Sequence, residues 1–113
     1  MITIIRGATT PLIFPIVDKD NVPMDLRTVD VCFLLVGGGV KLKLEPGDEG
    51  CSIVGHGGAS NNALSVVLSP AETSALKYGR VYTYWVWLKG DGGEYPAVSG
   101  GVRIVDTQKC EVV

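Results

Sequence analysis

Apolar and polar side chains alternate with a period of two along most of this chain, which is the signature of strands with distinct faces. The longest such run is Val81–Leu88. Tyr82, Tyr84, Val86 and Leu88 fall on one side of it, and Val81, Thr83, Trp85 and Trp87 on the other. Val29, Val31, Phe33 and Leu35 form one side of an earlier apolar run, leaving Cys32, Leu34 and Val36 on the opposite side. Leu12, Phe14 and Ile16 form one side of a third run, leaving Ile13 and Val17 on the other. Both sides of three strands are therefore apolar. A two-layer sandwich buries only one side of each strand, so the pattern predicts a second, covered surface.

Turn residues punctuate these runs and divide the chain into about eight short strands. The expected strands are Ile2–Arg6, Leu12–Val17, Val29–Val36, Val40–Leu44, Cys51–Val54, one starting at Leu64, Val81–Leu88, and the pair Tyr95–Val98 and Val102–Val105. Pro11 and Pro15 place the second strand at a sheet edge, because proline cannot donate to a ladder. Val22–Leu26 reads as extended, Gly55–Asn62 as a polar loop, and Asp91-Gly92-Gly93 as a hairpin turn. Only the stretch from Pro70 to Lys77 reads as helical. Ser69 suits its N-cap and Pro70 its first position. The sum is one all-β sandwich domain over residues 1–113 with a short helical corner at about 70–77.

That corner decides which side of the longest strand faces inward. Tyr82 follows it closely, and a tyrosine hydroxyl there can bond back to the corner's backbone, as in immunoglobulin-like domains. The Tyr82 side is thus assigned to the core. The opposite side, with Trp85, Trp87, Leu34 and Val36, and also Ile13 and Val17, is assigned to an interface. Burying a large apolar side chain is worth about 1.5–3 kcal/mol, so four or five of them suffice to drive assembly into a homo-oligomer.

Composition narrows the function. The chain has 113 residues, 19% of them charged, and a formal net charge of −2. Its ten Lys and Arg are scattered, which argues against nucleic acid. No apolar run is long enough for a membrane helix, and Arg6 interrupts the first one too early for a signal peptide. Cys32, Cys51 and Cys110 form an odd set without metal spacing, so three free thiols are expected, with Cys32 buried and Cys110 the most accessible.

The candidates for chemistry are thin. His56 is the single histidine, too few for a triad or a zinc site. The glycine clusters at 37–39, 55–58 and 90–93 lack the Lys-Ser or Lys-Thr of a phosphate loop. Asp18, Asp20 and Asn21 lack the closing Glu and the helical frame of a calcium loop. No enzyme activity, metal or cofactor is expected. A carbohydrate-binding or adhesin-type module is the alternative, with Trp85, Trp87 and Tyr95 as a platform for sugar rings.

One ordered set of residues resembles a known family. Arg6-Gly7-Ala8-Thr9, Leu12-Ile13-Phe14, Asp18–Asp20 and Val22–Val31 lead into Leu68–Leu76, Gly79–Tyr84, Asp91–Gly93 and Gly101–Ile104. Together they are similar to immunoglobulin-like domains of bacteriophage tail proteins, including the N-terminal domain of baseplate upper proteins. The resemblance implies a non-catalytic structural virion protein, assembled in the host cytoplasm, whose partners are copies of itself and other virion proteins.

Overall fold

The computed structural model describes residues 1–90 and 93–106. Its strands are β1 (Ile2–Ile5), β2 (Thr10–Pro15), β3 (Asp30–Gly37), β4 (Val40–Leu44), β5 (Cys51–His56), β6 (Ala59–Leu68), β7 (Val81–Gly90) and β8 (Gly93–Val105). They form a five-stranded sheet, β1-β8-β7-β3-β4, packed on a three-stranded sheet, β2-β6-β5. β1 runs parallel to β8, and the other neighbouring strands are antiparallel. The molecule is an immunoglobulin-like β-sandwich. β2 lies at a sheet edge, as its prolines require.

The core is where the alternation put it. Phe33, Leu35, Tyr82, Val86 and Leu88 from the large sheet are fully buried against Leu64, Val66 and Leu68 from the small one. Phe14 stacks on Phe33 with ring centroids 5.6 Å apart and meets Tyr84 at 5.3 Å, tying β2 across the sandwich. Leu26 plugs the end from a single 3-10 turn, Leu26–Thr28, on the segment that crosses between sheets.

The corner after β6 is built from reciprocal polar bonds. Ser69 Oγ accepts from the Glu72 amide at 3.1 Å, and Glu72 Oε1 accepts from the Ser69 amide at 2.9 Å, forming a capping box. The Tyr82 hydroxyl accepts from the Lys77 amide at 2.9 Å, the back-bond expected from the sequence. Thr73, fully buried, donates its hydroxyl to the Ala8 carbonyl at 3.0 Å.

Helix α1 spans Pro70–Ser74, three residues short of the expected end. Arg6 explains the early stop. Its guanidinium donates to the carbonyls of Leu76 at 2.7 Å and Ser74 at 3.2 Å, supplying from the turn after β1 the donors that another helical turn would provide.

Two further expectations change. The supposed loop at 55–62 is mostly strand, because β5 and β6 form a hairpin pairing His56 with Ala59 around Gly57-Gly58. Both glycines have positive φ, 64° and 86°, as a tight hairpin turn demands. A bulge between Val54 and His56 is bridged by the buried Asn62 side chain, which accepts from the His56 amide and donates to its carbonyl. The two expected C-terminal strands are one, continuous through Gly100 and Gly101. Gly100 is needed there because the Tyr84 ring lies on its backbone, leaving no room for a β-carbon. The Gly90–Gly93 pairing joins β7 to β8, while Asp91 and Gly92 of the expected turn lie outside the described residues.

Candidate interaction surface

The outward face of the large sheet gathers four of the six residues assigned to an interface. β3 and β7 are neighbours, with Leu34 opposite Trp85, Cys32 opposite Trp87, and Val36 opposite Thr83. Residues directly opposite on antiparallel strands share a face, so these six side chains form one patch. The two indoles are 6.2 Å apart and inclined by 33°. All six are half-buried in the isolated chain, less open than an unshielded strand surface would be. The indoles shelter each other.

The patch has different flanks. β4 sets Lys43 beside Leu34 and Lys41 beside Val36. β8 sets Ser99 beside Trp85 and Pro96 beside Trp87. Toward one end, two exposed ion pairs frame it, Lys43–Glu45 at 3.1 Å and Lys89–Glu94 at 3.6 Å. Exposed pairs of this kind contribute ~0–1 kcal/mol to stability and act mainly as a polar rim. A cleft of about 660 Å³ opens over Cys32 and Trp87, runs past Asp30, and continues around the end of the sandwich to Leu26, Ile53 and Leu88.

Ile13 and Val17 do not join this patch. Both point outward as expected, 53% and 48% exposed, but Ile13 lies on β2 of the small sheet and Val17 just beyond its end. Their surface is on the other side of the sandwich, because β1 and β2 separate at Gly7 and enter different sheets. The expected interface is thus two surfaces.

Tyr95 is not part of an aromatic platform with the tryptophans. It pairs with Leu88, whose side chain faces the core, so Tyr95 lies on the opposite side of the sheet from Trp87. Period-two counting through β8 misplaces residues here, because a bulge interrupts the register beside Trp87.

The cysteines also require a correction. Cys51, not Cys32, is the buried one, since its side chain enters the core opposite Val66. Burial pushes its thiol up to about 11, with Asp48 adding to the effect. Cys32 is half-buried on the outward face, and desolvation raises its pKa too, although Lys43 opposes this. Both are free thiols. Cys110 lies outside the described residues.

The loop candidates are structural. Asp18 Oδ1 accepts from the amides of Asp20 and Val22, closing a turn in which Asn21 adopts a φ of 61°. His56 is exposed at the end of β5. Among the described residues no group of three or more His, Cys, Asp or Glu could hold a metal ion. No helix among them is long and apolar enough to cross a membrane. What sequence reasoning missed is the charged rim of Asp30, Lys43, Glu45, Lys89 and Glu94, which only the strand register assembles.

No protein-family model and no curated protein matches the chain. Among solved structures, a Bacteroides vulgatus protein described as a glycoside hydrolase is similar over 96% of this chain, at 14% identity and a TM-score of 0.55. The chain spans 17% of that protein's length. AggA, the major subunit of the aggregative adherence fimbriae type I of Escherichia coli, matches over 94% of this chain and 89% of its own, at 19% identity and a TM-score of 0.32. At these identities the first likeness is one of fold.

Proposed function

We propose that this domain is a structural assembly module of a bacteriophage virion, acting by packing against copies of itself. The resemblance of its ordered turn and corner residues to phage tail domains motivates the setting. The observation that carries the mechanism is the contiguous outward patch of Leu34, Val36, Trp85 and Trp87, which the sandwich itself leaves only half-buried. In a monomer the two half-buried tryptophans keep part of their surface in water, and a partner face would remove it. The flanking lysines and ion pairs would then form the rim of the contact. The test is sedimentation of the wild type against a Leu34→Ser/Trp85→Ser variant. Loss of oligomers with an unchanged melting midpoint is expected; identical oligomers in both would overturn the reading.

A second reading, a carbohydrate-binding or adhesin-type module, is favoured by one observation: Trp87 lines a cleft with hydrogen-bonding side chains on its rim. Binding of the isolated domain to a glycan array tests it. Retention of any glycan supports this reading, and an array without signal contradicts it.

A further inference from the structure

The cleft at the end of the outward face has a composition that selects a ligand class. Cys32 lies across from Trp87 on the neighbouring strand, so a small side chain stands beside a large flat one. This difference in size leaves a recess next to the indole. Lys43 and Glu45 line one flank, Lys89 and Glu94 another, and Asp30 stands opposite Lys89. Three carboxylates stand against two ammonium groups and the Arg27 guanidinium, so the lining carries no net charge. Arg27, also on the lining, is held at 2.9 and 3.1 Å by both oxygens of the Asp25 carboxylate.

These features exclude as much as they admit. An anion would meet three carboxylates, and each of the three cations beside them is already paired. Desolvation raises the Cys32 thiol, with Lys43 opposing, which makes it a poorer nucleophile than a free thiol. A neutral polyol suits the site, since its hydroxyls both donate to carboxylates and accept from ammonium groups. An aromatic face adjoining such groups matches a pyranose ring, whose C–H face packs on an indole while its hydroxyls reach the rim. The volume of about 660 Å³ lies within the range of small-ligand sites and exceeds what one ring fills.

We infer that this cleft is a subsite for a neutral pyranose, with Trp87 as the stacking surface and the Lys43–Glu45 and Lys89–Glu94 pairs as hydroxyl partners. The inference rests on the carbohydrate reading and adds to it a location and a charge class. Trp85, outside the cleft lining, takes no part.

The experiment titrates the whole domain with glucose, galactose, mannose and N-acetylglucosamine, and with glucuronic acid as the charged control. Chemical shifts of the indole N–H groups report the site. Expected is binding of at least one neutral sugar that moves the Trp87 signal, weakened about tenfold or more in Trp87→Ala. Blocking Cys32 with a bulky thiol reagent should weaken it as well. Neutral-sugar binding that Trp87→Ala leaves intact would overturn the subsite while the carbohydrate reading stands. Preference for glucuronic acid would overturn the charge assignment. Failure of every sugar, together with an array without signal, would remove both.

Discussion

The two faces of β7 are almost equally rich in aromatic and aliphatic residues, yet their fates differ. Tyr82, Val86 and Leu88 are buried to within about 1% of full coverage, whereas Thr83, Trp85 and Trp87 remain half-buried. Hydrophobicity does not separate them, because the outward face carries the larger side chains. A polar bond does. The Tyr82 hydroxyl reaches the Lys77 amide at the end of the corner, which is possible only if the Tyr82 side faces in. A one-residue register slip would break that bond and exchange the two faces. An apolar strand face thus turns inward or outward according to which specific polar contact anchors the strand.

The most damaging way to break this asymmetry is Tyr82→Ser. It removes a fully buried ring and the corner bond together, and a loss of ~3–5 kcal/mol in chemical denaturation is expected. A change under 1 kcal/mol would mean that the inward face is not organised around Tyr82. Tyr82→Phe keeps the ring and isolates the hydroxyl. It should cost about 1 kcal/mol, more if the Lys77 amide finds no water. Ser69→Ala removes one half of the capping box and should cost a similar ~1 kcal/mol.

Much of this was legible in the sequence because each inference rested on local physics. The inward set of β3 and β7, the edge position of β2, the cap at Ser69 and the tyrosine back-bond all follow from period, proline and capping chemistry within a few residues. What was not legible depends on contacts distant in sequence. Helix α1 stops early because of Arg6, far away in the turn after β1. The hairpin at Gly57-Gly58 did carry a local signal, a two-glycine turn, but the polar Asn61-Asn62 that follows obscured it. Asn62 is polar because it bridges a bulge, and bulges leave little trace in a period-two pattern. The same irregularity beside Trp87 hid the true side of Tyr95. The shared outward face of Trp85, Trp87, Leu34 and Val36 could be read, whereas the separation of Ile13 and Val17 depends on which sheet each strand enters.

The cysteines sharpen the contrast between inside and outside kinetically. Cys51 is buried and its thiol is pushed up to about 11, so at pH 8 it should resist alkylation until the protein unfolds. Cys32 should react in the native state, but more slowly than a free thiol because desolvation raises its pKa. Timed labelling with mass mapping checks both sites. Native labelling of Cys51 before Cys32 would contradict the face assignment.

The smallest effect belongs to a surface pair away from either face. Arg27, mainly through its side-chain hydrogen bond, lowers Asp25 from its ordinary 3.8 to about 2. A lowered carboxylate contributes stability above pH 3.8 that is lost as pH falls through about 2. The group is exposed, so the slope in this window should be shallow. Asp25→Asn should flatten it, as followed by acid titration of the melting midpoint, and an unchanged slope would mean that the pair does not act in solution.

The central claim, that the outward face of β7 is a surface for self-assembly, is tested most directly by the accessibility of its indoles to acrylamide as protein concentration rises. Trp85 and Trp87 are the protein's two tryptophans, so the fluorescence reports this face alone. Quenching should fall as oligomers form, with a parallel rise in scattering mass, and Leu34→Ser should abolish both changes while leaving the fold intact. Quenching that stays constant while scattering mass rises would place the contact elsewhere and contradict it.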